Sequence, residues 1–370
     1  MRLALVLQQP LAPVPGGTGR YSVELGAALA ATAPGGANVT GWTAWHRDIS
    51  AARVPGVAGP HRLPLGRRSL AAAWERGRGP RPVGADMVHA PTLLMPPRGR
   101  RPLAVTIHDA VPWTHPETLT RRGVAFHRRM AARAEREADL VAVPTAAVAD
   151  ELAGVLDLGE RVRVVPLGVT AALQAPAEPA ASRRAAALRL PAEGYLLTLA
   201  TLEPRKGLDV ALAALAQASC RLPLLVVGSP GWGGVDPAAL ARQLGLPGGR
   251  VRVLGWVTDP DLAVVLSRAT ALLAPSRAEG FGLPVLEAMA SGTPVISSDC
   301  GALAEVGAQA TVRVPVGDAP ALAAAIDAVT ADPERQAAMA AAGRMRAADF
   351  SWTSTASLMW REFERVGASG

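Results

Sequence analysis

Short apolar runs separated by stretches of helical spacing recur along this chain, and that alternation leaves it few folds. A run such as Leu3–Leu7 or Leu140–Val143 is apolar at successive positions, so as a strand it must be covered on both faces. Strands covered on both faces belong to parallel sheets flanked by the helices that connect them. In the first half, strands are expected at Leu3–Leu7, Asn38–Thr43, Asp86–His89, Leu103–Ile107, Leu140–Val143 and Val162–Val165, with helices at Tyr21–Ala31, Thr118–Ala138 and Ala146–Val155. A second set follows at Tyr195–Ala200, Leu222–Val227, Val251–Leu254, Ala271–Leu273 and Pro294–Ser297. Between them Ala171–Pro191, rich in Ala, Pro and Arg, reads as a linker, and Phe350–Arg365 as a terminal amphipathic helix. A chain of 370 residues exceeds the usual single core, which makes this α/β class with two domains.

The residues with chemistry sit where such strands end. Glu279-Gly280-Phe281-Gly282-Leu283-Pro284-Val285-Leu286-Glu287 sets two carboxylates across a glycine-rich loop that enters a helix. Pro284 suits the first helical turn and Gly292 its stop. The loop N–H groups of Gly280, Phe281, Gly282 and Leu283 then offer a helix N-terminus to a phosphate or sugar oxygen, a use that a plain strand-to-helix junction does not require. Independently, Lys206 is the one lysine of the chain although Lys and Arg together number 38. It lies with Arg205 in the turn Thr201–Gly207 after the strand Tyr195–Ala200, the end at which open α/β sheets bind ligands. A planar fork beside a compact ammonium suits a diphosphate.

The run from Leu272 to Val306, with Ala274-Pro275-Ser276, Glu279 to Glu287 and Ala288-Met289-Ala290-Ser291-Gly292-Thr293-Pro294-Val295, resembles the donor-site signature of the retaining glycosyltransferases of family 4. The Arg205-Lys206-Gly207 turn resembles that family's diphosphate site. The resemblance implies a GT-B fold: two Rossmann-like domains with parallel sheets facing a cleft, at 1–170 and 192–349, a linker at 171–191, and a segment 350–370 that packs back on the first domain. It further implies that Glu279 contacts the donor sugar, Glu287 the ribose, and Val257, in Gly255-Trp256-Val257, the nucleobase through backbone atoms.

Two N-terminal segments extend the likeness. Gly16-Gly17-Thr18-Gly19-Arg20-Tyr21 opens a helix after the first strand; Ser22 stands where a dinucleotide fingerprint needs its third glycine, which argues against an NAD enzyme. In the family this loop touches the diphosphate and acceptor, which brings in Gly17. His108-Asp109 follows the strand Leu103–Ile107, and a histidine there is as well explained by structure as by function. The wider run Thr106–Pro116 resembles members that use GDP-mannose, where the first histidine reaches the donor sugar, favouring His108 over Asp109 and His115. Asp259-Pro260-Asp261 invites a metal, but Thr258 or Asp259 before a proline and an apolar run is the expected start of a helix. No metal or other cofactor is expected.

Charge and cysteines bound the partners. The net charge of +7 gathers in arginines between Arg62 and Arg136, which reads equally as a surface for an anionic membrane or lipid-linked acceptor and as solvated arginine faces. Aromatics at 4% and the lack of a recognition motif argue against nucleic acid. Cys220 and Cys300 form no spaced framework, and the N-terminal apolar run is too short for a signal peptide. The expected place is the cytoplasm, with peripheral attachment to the inner face of the membrane as the variant that the arginines suggest. The expected reaction is retaining transfer of a hexose, mannose favoured, from a nucleotide diphosphate sugar such as GDP-mannose to a hydroxyl of a glycan, glycolipid or small molecule. A GT-B nucleotide-sugar epimerase and a non-catalytic sugar-nucleotide-binding protein are the rivals.

Overall fold

The computed structural model describes residues 1–173 and 176–368, so parts of the expected linker (174–175) and C-terminal segment (369–370) lie outside the described residues. The chain divides into two compact units: Met1–Pro116, Arg121–Gly168 and Phe350–Gly370 form the first, and Glu117–Thr120 with Val169–Asp349 the second.

The first unit is built on seven strands: β1 (Arg2–Val6), β2 (Asn38–Trp45), β3 (Ala58–Gly66), β4 (Met87–Ala90), β5 (Leu103–Thr106), β6 (Leu140–Val143) and β7 (Val162–Val164). The second has six: β8 (Leu196–Leu199), β9 (Leu224–Val227), β10 (Val251–Gly255), β11 (Ala271–Ala274), β12 (Val295–Ser298) and β13 (Val312–Val314). All pairings are parallel. The orders are β3-β2-β1-β4-β5-β6-β7 and β10-β9-β8-β11-β12-β13, so each sheet reverses direction once, between β1 and β4 and between β8 and β11. Connections leave such a reversal on opposite sides and open a crevice at the carboxyl ends of the two central strands. The central strands β5, β6 and β9 are buried along their whole length, as their unbroken apolar runs require.

Several sequence expectations are corrected. The helix placed at Tyr21–Ala31 begins at Gly16, so the glycine run is its first turn and not a loop. Pro15 precedes it at the N-cap. The expected Thr118–Ala138 helix is a 3-10 turn at Pro116–Thr118 followed by a helix at Arg121–Glu137. The stretch read as linker holds a helix, Ala180–Ala187, whose Ala181 and Ala185 pack with Val264. β3 and β13 were not anticipated.

The C-terminal helix, Trp352–Ala368, lies in the first unit. Its Trp360 Nε1 donates to the Leu29 carbonyl oxygen at 3.0 Å, Thr355 Oγ1 donates to that of Pro166 at 2.7 Å, and Glu362 pairs with Arg163 at 3.1 Å. Among the described residues no helix is long and apolar enough to cross a membrane.

Candidate functional site

The reversal of the second sheet places two loops side by side. β8 runs into a 3-10 turn, Pro204–Lys206, and β11 into the segment 275–282 ahead of the helix Leu283–Ser291. Gly207 ends the first turn at φ 66, and a Cβ there would lie 2.0 Å from the Pro275 carbonyl oxygen. Only glycine lets the two loops close to this distance. Gly282 caps the following helix at φ 93, against Leu303.

The closure brings Arg205, Lys206 and Glu279 into one cluster. Lys206 Nζ donates to Glu279 Oε1 at 2.6 Å, and Arg205 Nη1 lies 3.1 Å from Oε2. Ser276 Oγ donates to Oε1 at 2.7 Å, and Arg205 Nη1 also reaches the Ala278 carbonyl oxygen at 2.8 Å. These side chains are only 10 to 15% exposed. Burial by itself raises the Glu279 carboxyl, but Lys206 and Arg205 overcome it and hold the group at about 2. Glu279 is therefore an anion at any physiological pH, a hydrogen-bond acceptor beside two cations.

Glu203, a residue that sequence reasoning missed, completes the arrangement. Its side chain is 2% exposed and receives Arg205 Nη2 at 2.7 Å. Burial raises its proton affinity in spite of Arg205 and Lys206. The signal was present as an acidic residue two positions ahead of Arg205, but spacing within a turn does not reveal a contact. On its far side, Glu203 and Pro204 line a cavity of about 470 Å³ with Asp209 and Arg277, themselves paired at 2.6 Å.

The other expected residues are more dispersed. Glu287 is 5% exposed on the helix Leu283–Ser291, and the side chains of Phe281 and Leu283 are buried in the core. Gly280 is buried in the same loop. Val257 follows β10, two strands from β8, beside a Trp256 that is 72% exposed. The Asp259–Asp261 segment opens a helix with Thr258 as its cap, and Asp261 is held by Thr258 Oγ1 at 2.7 Å and Arg184 at 2.6 Å. In the first unit, Gly17 is exposed in the first turn of its helix, and His108 follows β5 half-buried. His108 Nε2 lies 2.7 Å from the Pro91 carbonyl oxygen, its ring stands edge-on to Tyr21, and burial lowers its proton affinity. Beneath it Tyr21, Thr106 and His89 form a buried chain of hydrogen bonds, each 3.0 Å.

Comparison with known proteins gives this geometry a family. Residues 15–173 match the model described as Glycosyltransferase Family 4, and residues 193–332 that described as Glycosyl transferases group 1. The chain belongs to glycosyltransferase family 4. The D-inositol 3-phosphate glycosyltransferase of Frankia alni is 32% identical to it over 97% of both chains. O-antigen chain mannosyltransferase B of Escherichia coli is 35% identical over 43% of each. Several curated relatives are matched over less than half their own length. Among solved structures, sucrose-phosphate synthase of Thermosynechococcus elongatus superposes with a TM-score of 0.79 at 25% identity, covering all of both chains. This family 4 chain accordingly has the GT-B fold, two α/β units each with a parallel sheet.

Proposed function

We propose that this family 4 chain transfers a hexose from a nucleotide diphosphate sugar to an acceptor hydroxyl, with retention of anomeric configuration and without a metal. The observation that carries the reading is the cluster of Arg205, Lys206 and Glu279 at the reversal of the second sheet. In it, Arg205 and Lys206 stabilise charge that grows on the leaving diphosphate, aided by the N–H groups of Gly280 to Leu283. Glu279, held ionised, accepts hydrogen bonds from sugar hydroxyls, and Glu287 those of the ribose. A bound diphosphate competes with Glu279 for Lys206, so the donor's arrival exchanges one anion for another at the ammonium. Val257, Gly17 and His108 are the remaining assignments, to the base, the diphosphate and the sugar. Mannose is the favoured hexose and GDP-mannose the favoured donor, supported by the mannosyltransferase among the relatives and by the His108 segment. The acceptor belongs to a glycan, a lipid-linked glycan or a small molecule, and the proposed place is the cytoplasm.

Calorimetric titration of the full chain with GDP-mannose, UDP-glucose, UDP-N-acetylglucosamine and dTDP-rhamnose, with and without EDTA, tests the reading. Binding of one donor unchanged by EDTA, followed by slow hydrolysis with retained configuration, is expected. Binding that EDTA abolishes defeats the metal-free mechanism, and an epimerised donor without acceptor defeats the transferase.

A further inference from the structure

Two cations and two carboxylates are closed together at the reversal of the second sheet, and their charges cancel. Arg205 is the shared member: its Nη2 reaches Glu203 Oε1 at 2.7 Å and its Nη1 reaches Glu279 Oε2 at 3.1 Å, while Lys206 Nζ meets Glu279 Oε1 at 2.6 Å. All four side chains are 15% exposed or less, so water screens them little. A nucleotide diphosphate sugar is a diphosphate diester, and near neutral pH it brings two further negative charges. On its arrival two cations face four negative charges, and like charges sharing a buried site raise the proton affinity of the carboxylate that is least well held.

The two carboxylates are held unequally. Glu279 Oε1 receives the Lys206 ammonium and the Ser276 hydroxyl, and Oε2 the Arg205 guanidinium. Glu203 is 2% exposed, its ion pair is with Arg205, and burial already favours its neutral form. Behind it, the cavity that it lines supplies no substitute. The one cation among the described lining residues, Arg277, is paired with Asp209 at 2.6 Å, and Glu117 and Asp236 add like charge. We infer that Glu203 takes up a proton when the donor's diphosphate binds, which frees the Nη2 of Arg205 to turn from the protein's carboxylate to the donor's phosphate. The proton comes from the buffered solvent, the carboxylate becomes a carboxylic acid, and no other covalent bond changes. Glu203 is thus a positioning residue that acts through Arg205. The inference rests on the diphosphate reading proposed above.

Calorimetric titration of the full chain with GDP-mannose, or with whichever of the four nucleotide sugars above binds in its place, tests it when repeated at one pH in buffers of different ionisation enthalpy. The donor has no group that titrates near neutrality, so the slope of heat against buffer enthalpy counts protons taken up by the protein. Uptake approaching one proton is expected, and because uptake favours the complex, affinity strengthens as pH falls from 8 to 6, by up to about tenfold per unit. Glu203→Gln keeps the shape and an acceptor for Arg205, so it should fold and bind donor with the pH slope and the uptake both lost. Glu117→Gln, in the same cavity, should keep both. Infrared difference spectra of the unaltered chain, which depend on no variant, should gain a protonated-carboxyl band on donor binding. Binding without uptake, no such band, or uptake that persists in Glu203→Gln overturns the inference. Failure of all four nucleotide sugars to bind the unaltered chain overturns the diphosphate reading itself, and this inference with it.

Discussion

Replacing Lys206 by alanine removes one of two cations from a buried anion but leaves Glu279 with Arg205 and Ser276. The fold is therefore expected to survive while kcat falls by about a hundredfold to a thousandfold, the range for loss of one donor to a developing anion. Unchanged turnover in a well-folded variant would refute the diphosphate assignment. Histidines supply a second prediction at this scale. Burial, helped by the charge of His108, pushes His89 down to about 3 from an ordinary 6.5. Below pH 6.5 the unfolded chain takes up a proton that folded His89 refuses, so stability falls as pH drops, at about 1.4 kcal/mol per pH unit for that group. His108 and His46 act in the same direction. Glu279, held at about 2 against 4.5, adds its loss only below pH 4.5. Denaturant midpoints between pH 6.5 and 4.5 should decline, and His89→Gln, which can keep the bond to Thr106, should flatten that decline.

At the level of elements, the close approach of two loops decides the candidate site. Gly207→Ala puts a methyl group against the Pro275 carbonyl at a positive φ, so melting should show a loss of about 2 kcal/mol or more and donor binding should weaken with it. An alanine variant as stable as the parent would mean that the loops separate without consequence. Such elements were legible where burial was symmetrical: the fully buried strands announced themselves by continuous apolar runs. The two missed strands are both sheet edges. β3 carries Pro60 and Pro64, residues that count against a strand except at an edge, and β13 is three residues long. The start of the first helix was misplaced because Gly16, Gly17 and Gly19 have poor helix propensity, and contacts within the unit override it. In the site, Arg205, Lys206 and Glu279 stood out by type and position. Glu203 did not, because its importance lies in burial and in an ion pair that only the folded turn creates.

Across the whole molecule, the first unit is assembled from three separate stretches of chain. Trp360, 3% exposed, and the fully buried Phe363 fill its core, with the Phe363 ring tilted against that of His89 at a centroid distance of 5.5 Å. Trp360→Ala should destabilise this unit by about 3 to 5 kcal/mol. Scanning calorimetry should show the effect on one transition and leave a second, belonging to Val169–Asp349, in place; a uniform shift of both would contradict the division into units. The same connectivity bears on how the protein comes into being. A ribosome delivers Leu29, His89 and Pro166 early, yet the helix that covers them is made only after Val169–Asp349, the body of the second unit. At ordinary rates of translation that interval is on the order of ten seconds, during which the apolar groove waits uncovered. The unit that is begun first is completed after the second.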